Sequence, residues 1–293
     1  MADKKKILIQ LDGDPHPSVF DAVVAIDAGA DVLLPFGGVR PEQVRDLVYG
    51  AIFTRGPKDL RRTAVFIGGR DVATGEAILE AAAGSLMGPL RVSIMLDANG
   101  ANTTASAAVI AAGRHVTLNG CKALVLGATG PVGQRVVRLL AHEGAGVRVG
   151  SRDQARAAGI CDRVADVVAD AKLEPVAIAS PDDLAAALAG VELVIAAGAA
   201  GATLLPADAR TACPSLKVAI DLNAVPPVGI EGVDVMDHAA EHDGVTCYGA
   251  IGTGGTKMKI HKAAIAALFQ ANDKILDAEE VYAIGQAAES SSG

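Results

Sequence analysis

The sequence predicts a two-domain α/β protein in which a doubly wound parallel sheet is inserted into an N-terminal α/β domain that the C-terminal helices complete. Three observations predict it. Short apolar runs alternate with helix-period segments through the first hundred residues, the pattern of parallel strands joined by crossover helices. At Cys121 the alternation restarts with an apolar run, a glycine-rich turn and a helix start. Beyond Gly249 the strands stop, and helical segments close the chain. At 293 residues there is length for two cores of ordinary size.

In order along the chain, residues 7–11, 31–35, 63–67 and 92–96 read as strands. Between them, residues 18–28 read as a helix with Ser18 as N-cap and Gly29 just past its end, Pro41 opens a helix toward Ala51, and residues 72–83 form a third. A small-residue stretch from Asn102 leads out as a helix. The second pattern places strands at 123–126, 146–149, 175–178, 193–196 and 218–221. Residues 249–255 read as a glycine loop, 258–269 as an amphipathic helix and 278–288 as the last helix, ahead of a frayed Ser-Ser-Ser-Gly end. The domain bounds expected from this are 106–252 for the insert and 1–105 with 253–293 for the domain around it, with the site in the cleft between.

The formal net charge of -8, with no basic cluster beyond Lys4 to Lys6, argues against nucleic acid as a partner. Aromatics at 3% and the absence of Trp leave no base-stacking platform. No apolar stretch reaches the roughly 20 residues of a membrane span, and the chain is expected to be cytoplasmic. Cys121, Cys161, Cys213 and Cys247 are far apart and form no CxxC pair, which fits reduced thiols packed as small hydrophobes.

The segment from Cys121 through Gly127, Thr129, Gly130, Pro131, Val132 and Gly133 is a buried strand, a turn and a helix start in the order a dinucleotide requires. Its spacing is GxxGxxG. Glycines let the backbone turn sharply and approach a pyrophosphate, whose charge meets the free N–H groups of a helix N-terminus. This makes the insert a Rossmann-type domain. The next strand ends at Ser151-Arg152, where an NAD-specific site carries Asp or Glu for the ribose hydroxyls. Donors and a positive charge there suit the 2′-phosphate of NADP, with NAD also possible; a solvated arginine at a helix start explains Arg152 without any ligand. Ala197 and Asn223 follow later strands and complete the cofactor set, while residues 175–180 would sit on the adenine side.

Asp97, Asn99, Asn102, Thr103 and Thr104 cluster after a strand, where open α/β sheets bind ligands. Capping and turn formation account for the same residue types. Asp21, three residues after Ser18, has a capping-box role as its first explanation and a cleft carboxylate as its second. Lys257 and Lys259 follow the glycine loop at a helix start, where the dipole disfavours a cation, and this favours a functional reason for one of them. His261 shares a helix face with Lys257. His238-Ala-Ala-Glu241-His242 matches the HxxEH metal pattern with its histidines one helical turn apart, yet has no third ligand and ends at an Asp243-Gly244 turn; no metal is expected.

Taken together, Ser18-Val-Phe-Asp21, Thr54-Arg-Gly56, Met95 to Thr104, Gly127 to Gly133, Asn223 to Ile230 and Gly252 to His261 resemble the bacterial NAD(P)-dependent methylene-tetrahydromethanopterin dehydrogenases of one-carbon metabolism, over nearly the whole chain. The resemblance implies oxidation of the methylene bridge of a reduced pterin, with hydride passing to NADP and a methenyl pterin left behind, as in formaldehyde oxidation. Positioning would dominate such catalysis, since the bridge nitrogens stabilise the cation themselves. On this resemblance Lys257 and Asp21 belong to the catalytic side, and Asp97, Asn99, Asn102 and His261 to the pterin. It implies a homo-oligomer, a trimer, and leaves tetrahydrofolate open as a second carrier. Two other readings remain: a shikimate-dehydrogenase type of NADP enzyme, which needs a Lys and Asp pair for proton transfer, and a non-enzymatic NADP sensor.

Overall fold

The computed structural model describes residues 4–290, so the expected frayed end lies, from Ser291 onward, outside the described residues. The elements run β1 (Ile7–Asp12), α1 (Val19–Asp27), β2 (Val32–Phe36), α2 (Pro41–Ile52), β3 (Thr63–Gly68), α3 (Val72–Gly84), β4 (Ser93–Leu96) and α4 (Ala101–Gly113). There follow β5 (Lys122–Leu126), α5 (Pro131–His142), β6 (Gly146–Ser151), α6 (Gln154–Ala165), β7 (Lys172–Ala177), α7 (Pro181–Leu188), β8 (Leu193–Ala196), α8 (Ala207–Thr211) and β9 (Val218–Asp221). The chain closes with β10 (His238–His242), β11 (Val245–Tyr248), α9 (Ala250–Leu268), β12 (Ile275–Leu276) and α10 (Ala278–Ser290). It divides into two compact units, one ending at Thr103 and resuming at Met258, the other being Thr104–Lys257. The chain passes from one unit to the other within α4 and again within α9.

The first unit holds a five-stranded sheet in the order β12-β4-β3-β1-β2, with every pair parallel. One face buries Leu11, Val65, Ile67 and Ile94 against Val44, Val48, Ile52, Ile78 and Ala82 of α2 and α3. Each such valine, leucine or isoleucine, fully buried, contributes about 1.5–3 kcal/mol. The other face carries Gln10, Asp12 and Phe66, since neighbours in register in a parallel pair point the same way.

The second unit holds a seven-stranded sheet in the order β10-β11-β9-β8-β5-β6-β7. All its pairs are parallel except the β10–β11 hairpin. Strand order therefore reverses at β5 and β8, the switch point at which such sheets bind ligands. Pro35 and Pro175 both lie inside strands, and β2 and β7 are edge strands, where a missing donor is tolerated.

Two expectations are corrected. His238–His242 is a strand, turned at Asp243 (φ 54) and Gly244 (φ 78), so its two histidines do not stand one helical turn apart. Residues 250–255 are the first turns of α9, not a loop: a Cβ at Gly252 would overlap the backbone of Asp237, so this glycine serves a close approach. Lys257 consequently lies in the third turn of α9, outside the reach of the N-terminal dipole, and the dipole gives no reason for its presence. Among the described residues no helix is long and apolar enough to cross a membrane.

Candidate functional site

At the switch point of the second unit, β5 runs into Gly127 at φ 69, and a Cβ there would lie 2.5 Å from Gly198 Cα. Only glycine allows this turn and this approach. Gly130 caps α5 and Pro131 takes its first position, where a missing N–H costs nothing. Gly133 faces inward: an added Cβ would stand 2.5 Å from Gly127 O and 2.8 Å from Ala128 Cα, so its role is packing of helix on strand. Gln134 Nε2 donates to Thr129 O at 2.9 Å and ties the turn to the helix.

Beside the turn is a cavity of about 660 Å³ at the carboxyl ends of β5, β6 and β8. Gly127, Thr129, Gly130, Ser151, Arg152 and Ala197 all line it. Pro131, Val132 and Gly133 form the first turn of α5 and are not among its lining residues. β6 ends in Ser151, 9% exposed, with no carboxylate at that place. The nearest acid, Asp153, is the N-cap of α6 and accepts from Ala155 N and Arg156 N. The wall also contains Arg156 and Gly198, which the sequence reading did not single out, and Ile178 from the 175–180 segment expected on the adenine side. A strand of four apolar residues ending at Ala196 and followed by Ala-Gly was the available signal for Gly198.

Asn223 lies elsewhere in its chemistry. Its Nδ2 donates to Pro227 O at 3.0 Å, its Oδ1 accepts from Val225 N at 3.0 Å, and it does not line the cavity. Asp221, 1% exposed, holds the base of the same loop by accepting from Asn223 N and Ile230 N, both at 3.0 Å. Burial is the main influence on its carboxyl and pushes the pKa up, against the pull of those donors.

In the first unit Asp97, Asn99 and Asn102 follow the carboxyl end of β4, and several of the predicted residues are engaged locally. Asp97 accepts from Thr103 N at 3.0 Å and Thr103 Oγ1 at 2.7 Å. Asn102 Nδ2 donates to Leu96 O at 2.7 Å and Asp277 Oδ1 at 3.0 Å. Asn99 is exposed, in left-handed backbone at φ 56. Ser18 Oγ accepts from Asp21 N at 3.2 Å, while the Ser18 N–H goes to Asp12 Oδ2 at 3.0 Å, so Asp12 occupies the arm that a capping box would draw from Asp21. His261 is fully buried, stacked on Phe66 at 5.6 Å between ring centroids, with Nε2 4.0 Å from Asp21 Oδ1. Asp21 and His261 are thus brought together. Lys257, the last residue of the second unit, is half-buried, and Lys259 is exposed.

Among the described residues no three His, Cys, Asp or Glu side chains gather as a metal site. His242 Nε2 lies 2.7 Å from Asp237 Oδ2 and His238 Nδ1 2.8 Å from Gly252 O, which gives both histidines structural partners. The four thiols are unpaired; burial pushes Cys121 and Cys247 up to about 11 and leaves them as protonated packing groups.

Residues 19–99 match the family described as methylene-tetrahydromethanopterin dehydrogenase, N-terminal, and residues 127–224 match the NAD(P)H-binding family. The chain is 44% identical to the "Bifunctional protein MdtA" of Methylorubrum extorquens strain AM1, over 96% of this chain and 98% of that one. It is 31% identical to the NAD(P)-dependent methylenetetrahydromethanopterin dehydrogenase of the same organism, over 95% and 97%. Among solved structures, 5-ketofructose reductase of Gluconobacter sp. strain CHM43 superposes with a TM-score of 0.51 at 16% identity, covering 97% of this chain and 99% of that one, a likeness of fold alone.

Proposed function

The chain belongs to the methylene-tetrahydromethanopterin dehydrogenase family, and from that premise we propose that it is an NAD(P)-dependent oxidoreductase taking hydride from the methylene bridge of methylene-tetrahydromethanopterin and leaving the methenyl pterin. The observation that carries this reading is the pairing, in one chain, of the pterin-dehydrogenase segment at 19–99 with the dinucleotide-binding segment at 127–224.

The residues of the second unit fit NADP. A Cβ would fill the cradle at Gly127, and Ser151 with Arg152 stands where an NAD-only site keeps a carboxylate. Gly127, Thr129, Gly130, Ser151, Arg152 and Ala197 would hold it, and NADP when bound supplies the hydride acceptor. The remaining work is positional. The bridge nitrogens stabilise the developing cation, so the chain has to orient the donor carbon and keep water away from it. We assign that task to Asp21 and Lys257, with Asp97, Asn99, Asn102 and His261 shaping the pterin side. For Asp97 and Asn102 the contribution is indirect, since each builds the loop on which Asn99 is exposed. Asp21 is a better candidate for substrate contact than capping logic alone suggests, because Asp12 serves the cap.

Methylene-tetrahydrofolate is the second donor we propose, because its methylene bridge also spans two nitrogens of a reduced pterin and asks the same positional work of the chain. The test is incubation of the purified protein with NADP and each methylene-pterin while NADPH absorbance is followed. Reduction with methylene-tetrahydromethanopterin is expected, and none with either donor overturns the assignment. We further propose a homo-oligomer, which an exposed apolar stripe on α1 that includes Val23, 56% exposed, and Ile26, 51% exposed, supports, and a trimer as its count, which the stripe leaves to be measured.

A further inference from the structure

The carboxyl end of β6 carries more charge than one arginine. Arg152 and Arg156 both line the cavity, together with Ser151 and Asp153. Arg152 precedes the N-cap of α6, and Arg156 is in its first turn. Neither guanidinium is engaged in a hydrogen bond or ion pair among the described residues, unlike Arg148, which donates to Ala187 O and Ala189 O and pairs with Glu174. Asp153 uses Oδ1 to accept from Ala155 N at 2.9 Å and Arg156 N at 3.3 Å, so two backbone N–H groups of this helix start are occupied by a carboxylate before any ligand arrives. Its own N–H goes to Ser151 Oγ at 3.2 Å.

A dianionic phosphate placed at this wall therefore meets a fixed negative charge at Asp153. Arg152 alone leaves the wall neutral overall. With Arg156 it becomes cationic, and the arginines supply donors that the capped helix terminus cannot.

We propose that Arg156 is a second specificity-determining residue for the cofactor, forming with Arg152 and Ser151 a two-guanidinium seat for the 2′-phosphate of NADP, and that the capping carboxylate of Asp153 makes the second arginine necessary. This rests on the reading of the cavity as the adenosine end of a dinucleotide site. Arg152 neutralises Asp153, and Arg156 adds the net attraction.

Binding of 2′,5′-ADP and of 5′-AMP, measured by titration calorimetry without pterin, separates the two claims. For the unaltered protein 2′,5′-ADP is expected to bind more tightly. Arg156→Gln is expected to weaken 2′,5′-ADP about 10–100-fold, the loss of one charge-assisted contact, and 5′-AMP by less than about 2-fold. Arg152→Gln is expected to behave alike. Asp153→Asn keeps a good N-cap and removes the charge, so 2′,5′-ADP is expected to tighten several-fold and the Arg156→Gln loss to be partly recovered in the double variant. If the unaltered protein binds neither nucleotide, or both equally, the 2′-phosphate reading of the cavity fails and the seat with it. If it prefers 2′,5′-ADP and Arg156→Gln keeps that preference, the seat alone is overturned.

Discussion

Asp221 is a carboxylate inside the dinucleotide-binding unit, and its folded-state pKa is raised above 3.8 by burial. The folded chain thus holds the neutral acid better than the unfolded chain does. Its contribution is complete below the unfolded value and is lost as pH rises through the folded one. Asp221→Asn removes the titration while keeping an acceptor for the loop. The stability of the natural protein relative to that variant is expected to fall as pH rises from below 3.8 to above the raised value, read from urea midpoints across pH; a difference flat in pH overturns this. Lys257 tests the pterin side. Lys257→Ala is expected to cut turnover or pterin affinity at least about 10-fold, with the NADP dissociation constant changed less than about 2-fold, and a fully active variant returns Lys257 to a solvated role. At this scale the sequence was legible where a pattern decides a residue's place, as at Gly127 in the turn after β5 and at Ser151 at the end of β6. It was not legible where a side chain is claimed by a local bond: the Asn223 amide on Pro227 O and the Asp12 carboxylate on Ser18 N have no signature in composition or spacing.

Strands β1 to β9 were the readable elements, because a buried parallel strand is a short apolar run bounded by turn residues, and the edge strands β2 and β7 even keep their prolines. Strands β10 to β12 were missed, β10 being polar and largely exposed and β12, beyond Gly249, only two residues long. α9 was hidden by its glycines. A Gly-rich stretch reads as a loop when each glycine is taken for a turn residue, whereas Gly252 is needed for contact with the Asp237 backbone inside a helix. The two kinds of glycine can be separated. A Cβ at Gly252 has no room, while one at Gly254 meets nothing within 4 Å. Gly252→Ala is expected to destabilise by about 1–3 kcal/mol through overpacking, and Gly254→Ala to stabilise by about 0.5–1 kcal/mol through helix propensity. Thermal midpoints then move in opposite directions. Two shifts of the same sign would mean that the close approach does not govern the choice of glycine.

For the molecule as a whole, the restart of the α/β alternation at Cys121 revealed two sheets, but the passage between units runs inside the helices α4 and α9 and not at a loop, where a boundary is looked for. Self-association is a property of the same scale. α1 packs on β2, the edge strand of the first sheet, and together they expose Val19, Val23 and Ile26 with Leu34 and Phe36. A helix face of that composition is the amphipathic pattern reversed, apolar toward solvent, and the free energy of covering it favours a second copy. In sedimentation equilibrium the natural protein is expected at three times the chain mass. Val23→Glu, at a position 56% exposed and therefore without a core to disturb, is expected at one chain mass with an unchanged far-UV spectrum. A mass of twice the chain that falls to one in the variant keeps the interface and overturns the three-fold count. An unaltered mass in the variant removes α1 from the interface, and a monomeric natural protein removes the interface itself.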